Sequence, residues 1–239
     1  MKISIRKTVQ IKDLEQWFHV APPEGGSNQW KVGRSALEMA RFALSEEFPC
    51  VIDNVIAECG LKESVFNCEP EALTSFEKDM GKGGPRHHDL LMVGNDTLIG
   101  IEAKVSEPFD KIIKDKRKEA TENMNQRLNS CLDYLYENRP DNSEELYYQL
   151  LSATIGSIIE AQRRNMKNVI SLFIVFTGNI NAEKDYEKHI KENDDAFKEF
   201  CGTFKLDETG GKIPSISRAP GINCWIKKIK INIGDYSYK

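Results

Sequence analysis

Apolar and polar residues in the first third of the chain recur with the periods of helices and strands. Residues 35–48 carry alanine and leucine at helical spacing, which predicts an amphipathic helix. Ser35, with Glu38 three positions later, predicts a capping box at the start of this helix. A short helix near residues 51–58 and a strand within residues 64–78 are the next elements that we expect.

Two strands joined by a tight turn are predicted over residues 89–105. The segments DLLMVG and TLIGIEAKV are short and mostly apolar. Asn95 and Asp96 lie between them, and both residue types tolerate the left-handed conformations of a two-residue turn. Pairing that starts from this turn places Asp89 opposite Glu102, with both side chains on one face of the hairpin.

The second half of the chain predicts helices around one fully buried strand. Long amphipathic helices are expected at residues 110–137 and 144–164. The segment 168–178 is almost uniformly apolar and β-branched or aromatic, which is typical of a strand covered on both faces. Helical residues 182–200 and an alternating strand at 225–233 complete the pattern.

This order of elements predicts an α/β protein in which helices cover a mixed sheet. The 239 residues are 40% hydrophobic and 29% charged, as in ordinary globular proteins, and residues 1–239 are expected to form a single domain. No run of roughly 18 apolar residues predicts a membrane span, and the N-terminal segment lacks the apolar core of a signal peptide. Six scattered cysteines without CxxC spacing predict reduced thiols and a cytoplasmic location.

Charge is distributed unevenly along the chain. The net charge of −4 weighs against broad, nonspecific binding to nucleic acid. The segment KIIKDKRK is nevertheless locally basic, and two interpretations stay open: a solvated helix face, or a surface that guides a phosphate backbone. Its basic residues are Lys111, Lys114, Lys116, Arg117 and Lys118.

The predicted hairpin gathers Asp89, Glu102 and Lys104 on one face. Two opposed carboxylates repel each other, and a divalent cation with oxygen ligands removes that cost. A neighbouring ammonium group can orient a metal-activated water or offset charge on a phosphate. Gly100, on the same face, is expected to let a ligand approach the backbone. The other interpretation is an ordinary ion pair of Lys104 with either carboxylate on a wet surface.

The succession of Asp89 and then Glu102-Ala103-Lys104 on adjacent strands that follow a helix resembles the PD-(D/E)XK nuclease superfamily. The resemblance implies a restriction-endonuclease-like core, which is a central mixed β-sheet flanked by helices on both faces. The sequence departs from the pattern immediately before Asp89, where His88 replaces the proline that gives the motif its name.

In this chain the implied nuclease-like core spans about residues 31–178. The C-terminal residues 179–239 are then expected to add a helix and a strand as an extension.

The resemblance also implies roles for individual residues. Asp89 and Glu102 would bind Mg²⁺ or Mn²⁺, with the carbonyl group of Ala103 as a further ligand. Lys104 would position the attacking water or stabilise charge at the scissile phosphate. Glu38 is the candidate for the acidic residue that many members add from the first helix, and its capping box is the alternative role.

Two further residues are candidates for the same site. His87 shares the strand face of Asp89 and would contact metal or phosphate. Gln149 lies where some members use a glutamine on a later helix. Each has a plain alternative as a structural or surface group.

The function implied by the resemblance is metal-dependent hydrolysis of phosphodiesters in DNA, as in restriction, phage defence or repair. A homodimer is expected on the same ground. Two alternatives stay open. One is a non-catalytic module that binds nucleic acid or protein on the same scaffold. The other is an unrelated α/β protein whose hairpin charges are ordinary surface pairs.

Overall fold

Strands in the described part of the chain form one mixed sheet. The computed structural model describes residues 2–5, 9–63, 65–76, 80, 84–105, 107–178, 185–216 and 218–237. The strands within these ranges are β1 (Lys2–Ile5), β2 (Val9–Gln10), β3 (Asn67–Thr74), β4 (Arg86–Val93), β5 (Thr97–Lys104), β6 (Asn168–Thr177), β7 (Gly210–Lys212) and β8 (Asn223–Asn232).

Helices precede the sheet's central strands and connect them. They are α1 (Leu14–Val20), α2 (Ser35–Ala43), α3 (Phe48–Glu58), α4 (Ile113–Lys118), α5 (Glu122–Leu135), α6 (Tyr148–Arg163) and α7 (Tyr186–Gly202). Among these helices, none is both long and apolar enough to cross a membrane.

The strands lie in the order β2-β1-β3-β4-β5-β6-β8-β7. The neighbours β3, β4 and β5 form an antiparallel meander, whereas β5, β6 and β8 run parallel to one another. Each parallel step requires a crossover, and the chain makes these crossovers through α4 to α6 and through α7. The predicted α/β class with a mixed sheet is therefore confirmed.

Both faces of the sheet are covered by helices. On one face, Leu91 packs in a core that contains Leu132 of α5 and the buried side of α6. On the other face, Leu90 packs in a core with Phe42 of α2 and Ile52 of α3. Adjacent residues of β4 thus serve different cores, as the period of a strand requires.

The helix predicted for residues 35–48 ends at Ala43, and the short helix predicted near residues 51–58 is present as α3 but begins earlier, at Phe48. The Ser45 hydroxyl donates to the carbonyl of Phe42 at 2.7 Å, which ties the chain back at the end of the first helix. Pro49 lies in the first turn of the next helix, where its missing N–H group has no cost.

The predicted capping box does not form. Arg34, rather than Ser35, is the residue that precedes α2, and no side chain caps the helix. Glu38 instead accepts a hydrogen bond from the backbone N–H of Gly33 at 3.0 Å. The carboxylate still satisfies a free N–H group next to the helix start, but at a different position from the one predicted.

The helix predicted for 110–137 is also interrupted. Thr121 caps the second segment by accepting a hydrogen bond from the N–H of Met124 at 3.3 Å, so α4 ends and α5 begins around it. The helix predicted for 144–164 begins at Tyr148. For the helix predicted at 182–200, residues 182–184 lie outside the described residues, and α7 starts at Tyr186.

The C-terminal strand belongs to the same sheet as the rest. It pairs with β6 at ten consecutive positions, from Asn168 opposite Asn223 to Thr177 opposite Asn232. The buried strand predicted for 168–178 and the strand predicted for 225–233 are therefore neighbours. The described segments also include the short strands β1, β2 and β7, which the hydrophobic pattern did not indicate.

All six cysteines are free thiols, as their spacing predicted. Cys50 is exposed, and the other five are buried.

Candidate functional site

The sheet has an irregularity where β3 and β4 pass each other at Glu71 and Asp89. Regular pairing is found on both sides, at Pro70 and at Ala72 of β3, and leaves the two acidic residues opposite each other. Glu71 has a φ of 49°, a left-handed conformation that is uncommon for any residue except glycine. Such strain is kept only where the surrounding structure imposes it, and it often marks functional sites.

Side-chain directions on β4 show the same irregularity. Leu91 lies in the core beside α6, and Leu90 lies in the opposite core. His88 is also on the α6 side, because it bonds Thr74 at 3.0 Å and lies close to Gly156 of that helix. The alternation of side chains along β4 is therefore broken between His88 and Leu91, and Glu71 and Asp89 form a kink in the paired strands.

The ladder between β4 and β5 ends at this kink. The predicted register is confirmed from Val93 opposite Leu98 to Leu90 opposite Ile101. Beyond that point the described ladder does not continue to a backbone pair between Asp89 and Glu102.

The Asp89 carboxylate bonds to β5 at the point where the backbone ladder ends. It accepts a hydrogen bond from the backbone N–H of Ala103 at 2.7 Å. At the kink, an acidic side chain thus substitutes for a main-chain acceptor.

Glu102 lies between two cationic groups. Lys104 Nζ is 2.9 Å from one of its oxygens, and Arg86 Nη2 donates to the other. The exposed fractions of the three side chains are only 4% for Glu102, 9% for Lys104 and 12% for Arg86. The predicted ion pair of Lys104 is therefore present, but it is buried rather than on a wet surface.

These groups face one cavity at the end of the meander, with a volume of about 540 Å³. The sequence-predicted residues Asp89, Glu102, Lys104, His87 and Gln149 all line it. The charged residues are thus brought to a shared space, as the hairpin argument predicted. Ala103 is fully buried between Glu102 and Lys104, with its N–H group bonded to Asp89.

Glu38 lies outside this cavity. Its oxygens accept from Gly33, from Arg41 at 3.1 Å and from the hydroxyl of Tyr236 at 3.2 Å. A fully buried carboxylate with three partners that link α2 to the C-terminal segment has a structural role.

Five charged residues of the cavity were not found from the sequence. Glu71 and Arg86 lie on the meander itself, and Glu24, Arg34 and Glu107 lie in loops. Glu71 was visible only as the residue in register with Asp89, which requires the position of β3 to be known. Arg86 carries a charge at a strand end, a common feature that indicates nothing by itself.

Burial controls the ionisation of the site. Burial, reinforced by the negative charges of Asp89 and Glu24, raises the pKa of Glu71 to about 8. Burial also raises the pKa of Asp89 and lowers that of Lys104, although each acts on the other in the opposite direction. The cavity is thus a poorly solvated place where negative charge is concentrated and incompletely balanced.

Two polar atoms at the cavity have no hydrogen-bond partner within the described residues. They are Nε of Arg86, a donor, and Oε1 of Gln149, an acceptor. Buried polar atoms are nearly always bonded, so each unpaired one requires an explanation. A ligand or water in the cavity would satisfy both.

Gly100 has a different role from the one predicted. It is fully buried, and a methyl group there would overlap the Ser157 hydroxyl of α6 and lie 3.0 Å from the Ser157 Cβ atom. The absence of a side chain at Gly100 therefore allows α6 to pack closely on β5 and does not make room for a ligand. Gly156 has a similar role on the helix, because a Cβ atom there would be 3.0 Å from Cγ of Arg86.

The basic segment 111–118 is balanced by acidic neighbours. Each of its five basic side chains lies within ion-pair distance of a carboxylate, which favours the interpretation as a solvated face. The pairs are Lys111–Glu119 (2.6 Å), Lys114–Glu145 (2.8 Å), Lys116–Asp110 (2.5 Å), Arg117–Glu144 (2.9 Å) and Lys118–Asp115 (2.6 Å).

The carboxylates of the cavity are not arranged as a ready-made metal site. Among the described residues, no group of three or more His, Cys, Asp or Glu side chains is placed to hold a metal ion. At Glu102 the reason is visible, since Arg86 and Lys104 already occupy its two oxygens.

Comparison with known protein families assigns this chain to one family. Residues 10–233 match the model of a domain of unknown function, DUF6946, and the chain belongs to that family. No curated protein and no solved structure matches the chain.

Proposed function

We propose that the protein is a metal-dependent phosphodiester hydrolase that acts on DNA, with a site of the PD-(D/E)XK kind. One observation carries the proposal: Asp89, Glu102 and Lys104 line a single cavity at the end of an antiparallel meander. These are the three residues on which the resemblance depends. The burial of Glu102 and Lys104 argues against an incidental surface pair, because charged groups are seldom buried without a partner.

The donor set suits a hard divalent cation. Asp89 and Glu102 would hold Mg²⁺ or Mn²⁺, with the Ala103 carbonyl as a further ligand. Glu71 lies near them, because the negative charge of Asp89 contributes to the raised pKa of Glu71. A bound cation would polarise a phosphate oxygen and lower the pKa of an attached water. The present ion pairs of Glu102 mean that the cation has to displace a positive side chain.

The charge balance of the cavity supports a cation together with an anionic substrate. Five acidic and three basic side chains line it, so the acids outnumber the bases even when Glu71, with its pKa of about 8, holds a proton. A phosphodiester alone would be repelled by this surplus of carboxylates, whereas a phosphodiester that enters with a divalent cation would not.

Lys104 is the chain's own candidate for assisting the reaction. Its amino group is 2.9 Å from Glu102, and the negative charges of Glu107 and Asp89 oppose the lowering of its pKa by burial. From there it would orient the attacking water or offset charge that develops on the phosphate.

The test is cleavage of single- and double-stranded DNA with Mg²⁺, with Mn²⁺ and with neither. The expected result is metal-dependent cutting that Lys104→Ala abolishes and Lys167→Ala retains. Lys167 is a matched control because it also forms an ion pair, with Asp96 at 3.0 Å, but on the surface. Absence of cutting, together with no rise in melting temperature on addition of metal, would refute the proposal.

A second candidate function is a non-catalytic module that binds nucleic acid or protein. The observation that favours it is the full occupancy of Glu102 by Arg86 and Lys104. In that case DNA is retained without cutting, and metal does not change the melting temperature.

A further inference from the structure

We infer that Arg86 holds Glu102 in the metal-free protein and exchanges this carboxylate for a phosphate oxygen of the substrate when a divalent cation binds. This inference rests on the proposed function and adds a substrate-binding residue to it. Arg86 is the first residue of β4 and pairs with Thr74 across the sheet. Its side chain lines the same cavity as Asp89 and Lys104.

Competition at Glu102 is the first step of the argument. Each carboxylate oxygen is bonded to one positive group, Arg86 Nη2 or Lys104 Nζ. A cation that takes an oxygen of Glu102 repels these like charges and removes their acceptor. One of the two side chains must then find another partner.

Arg86 is the group that leaves more readily. Lys104 is also attracted by three acids, Glu107, Asp89 and Asp110, which keep it in place when Glu102 is lost. Arg86 is attracted by two of these acids, Asp89 and Asp110, and the positive charge of Arg127 opposes this attraction. Its Nε also lacks a partner within the described residues.

The geometry of the guanidinium group indicates where it goes. Nε and Nη2 lie on one edge of the planar group, and at present only Nη2 has an acceptor on Glu102. A phosphate offers two oxygens to such an edge, so it would satisfy both donors at once. The unpartnered Nε is therefore explained as half of a bidentate site whose second acceptor is the substrate.

The test is calorimetric titration of Mn²⁺ into the full chain without nucleic acid. We expect Arg86→Met to bind Mn²⁺ about tenfold more tightly than the wild type, within the range of 10–100-fold by which neighbours of metal ligands typically change affinity. Arg164→Met is the matched control, because Arg164 also forms ion pairs, with Glu69 at 2.9 Å and with Glu160 at 2.7 Å, but neither acid lines the cavity. This control should leave Mn²⁺ affinity unchanged.

A second measurement separates this role from a purely structural one. Affinity for a short DNA duplex, measured by fluorescence anisotropy with Ca²⁺ present, should fall for Arg86→Met although its cation binds more tightly. Opposite changes in the two affinities are not expected from a folding defect. If Arg86→Met fails to fold, Arg86→Lys keeps the charge but loses the planar edge, and it should weaken DNA binding in the same assay.

The outcomes distinguish this inference from the proposed function. Equal Mn²⁺ affinity of the wild type and Arg86→Met overturns the inference and leaves the proposed function standing. Failure of both proteins to bind Mn²⁺ overturns both. Unchanged DNA affinity in the Arg86 variants overturns the exchange with phosphate.

Discussion

The carboxylate of Asp89 accepts a hydrogen bond from the backbone N–H of Ala103 at 2.7 Å, across the gap where the β4–β5 ladder ends. A side chain thus stands in for a main-chain acceptor between two strands. Ala103 is fully buried, so its N–H group has no access to water. This contact joins the kink at Asp89 to the strand that carries Glu102 and Lys104.

Removing the acceptor should therefore destabilise the fold. We expect Asp89→Ala to be less stable than Asp89→Asn by about 1–3 kcal/mol, the cost of an unsatisfied buried donor. Both variants remove the buried charge, and only asparagine keeps an oxygen that can accept from Ala103. Urea unfolding measures the difference. Equal stability of the two variants would show that the charge, not the hydrogen bond, is what matters at this position.

The hydrophobic pattern predicted the central part of the fold because burial there is extreme. The strand 168–177 and the hairpin register follow from apolar residues that must face one core or the other. Helix ends were less predictable, since the breaks near Ser45 and Thr121 depend on local hydrogen bonds that compete with a continuous apolar stripe.

The candidate site was predictable only as far as the hairpin determines it. Asp89, Glu102 and Lys104 follow from the pairing of two neighbouring strands. The positions of Glu71 and Arg86 depend on where the third strand pairs and where the strands kink, and the hydrophobic periodicity of the sequence predicts neither. Gly100 was assigned to a ligand because the position of α6 over it is a tertiary contact.

Stability should fall as pH rises through the ionisation of Glu71. Its pKa is raised in the folded protein from 4.5 to about 8, so the folded state binds a proton that the unfolded chain has already lost. The contribution of the protonated group is complete below pH 4.5 and disappears as pH rises through 8. Glu71→Gln should match the wild type near pH 4.5 and exceed its melting temperature above pH 8.

A matched variant on the same strand checks that this effect belongs to the cavity. Glu69 forms an ion pair with Arg164 at 2.9 Å and does not line the cavity. Glu69→Gln should lower the melting temperature instead of raising it at high pH. Parallel pH profiles of Glu71→Gln and the wild type would contradict the burial of a protonated Glu71.

The contact of α6 with the sheet should be sensitive to one methyl group. Gly100→Ala is expected to cost about 1–3 kcal/mol, because the added carbon overlaps Ser157 in a packed core. The double variant Gly100→Ala/Ser157→Ala should recover part of this loss, since the hydroxyl is the nearest obstacle. Thermal unfolding of the four members of this cycle measures the coupling, and strictly additive effects would argue against the contact.

The basic segment gives the last prediction, because its balance of charge can be tested directly. Lys111 and Lys118 are half or more exposed, and each lies 2.6 Å from a carboxylate. If they contacted DNA phosphates, replacing both would reduce the slope of log K against log salt by about 2. We expect Lys111→Ala/Lys118→Ala to leave this slope unchanged and to alter stability by less than about 1 kcal/mol. A clear drop in the slope would instead identify α4 and the residues around it as a phosphate-binding surface, with its acidic partners displaced when DNA binds.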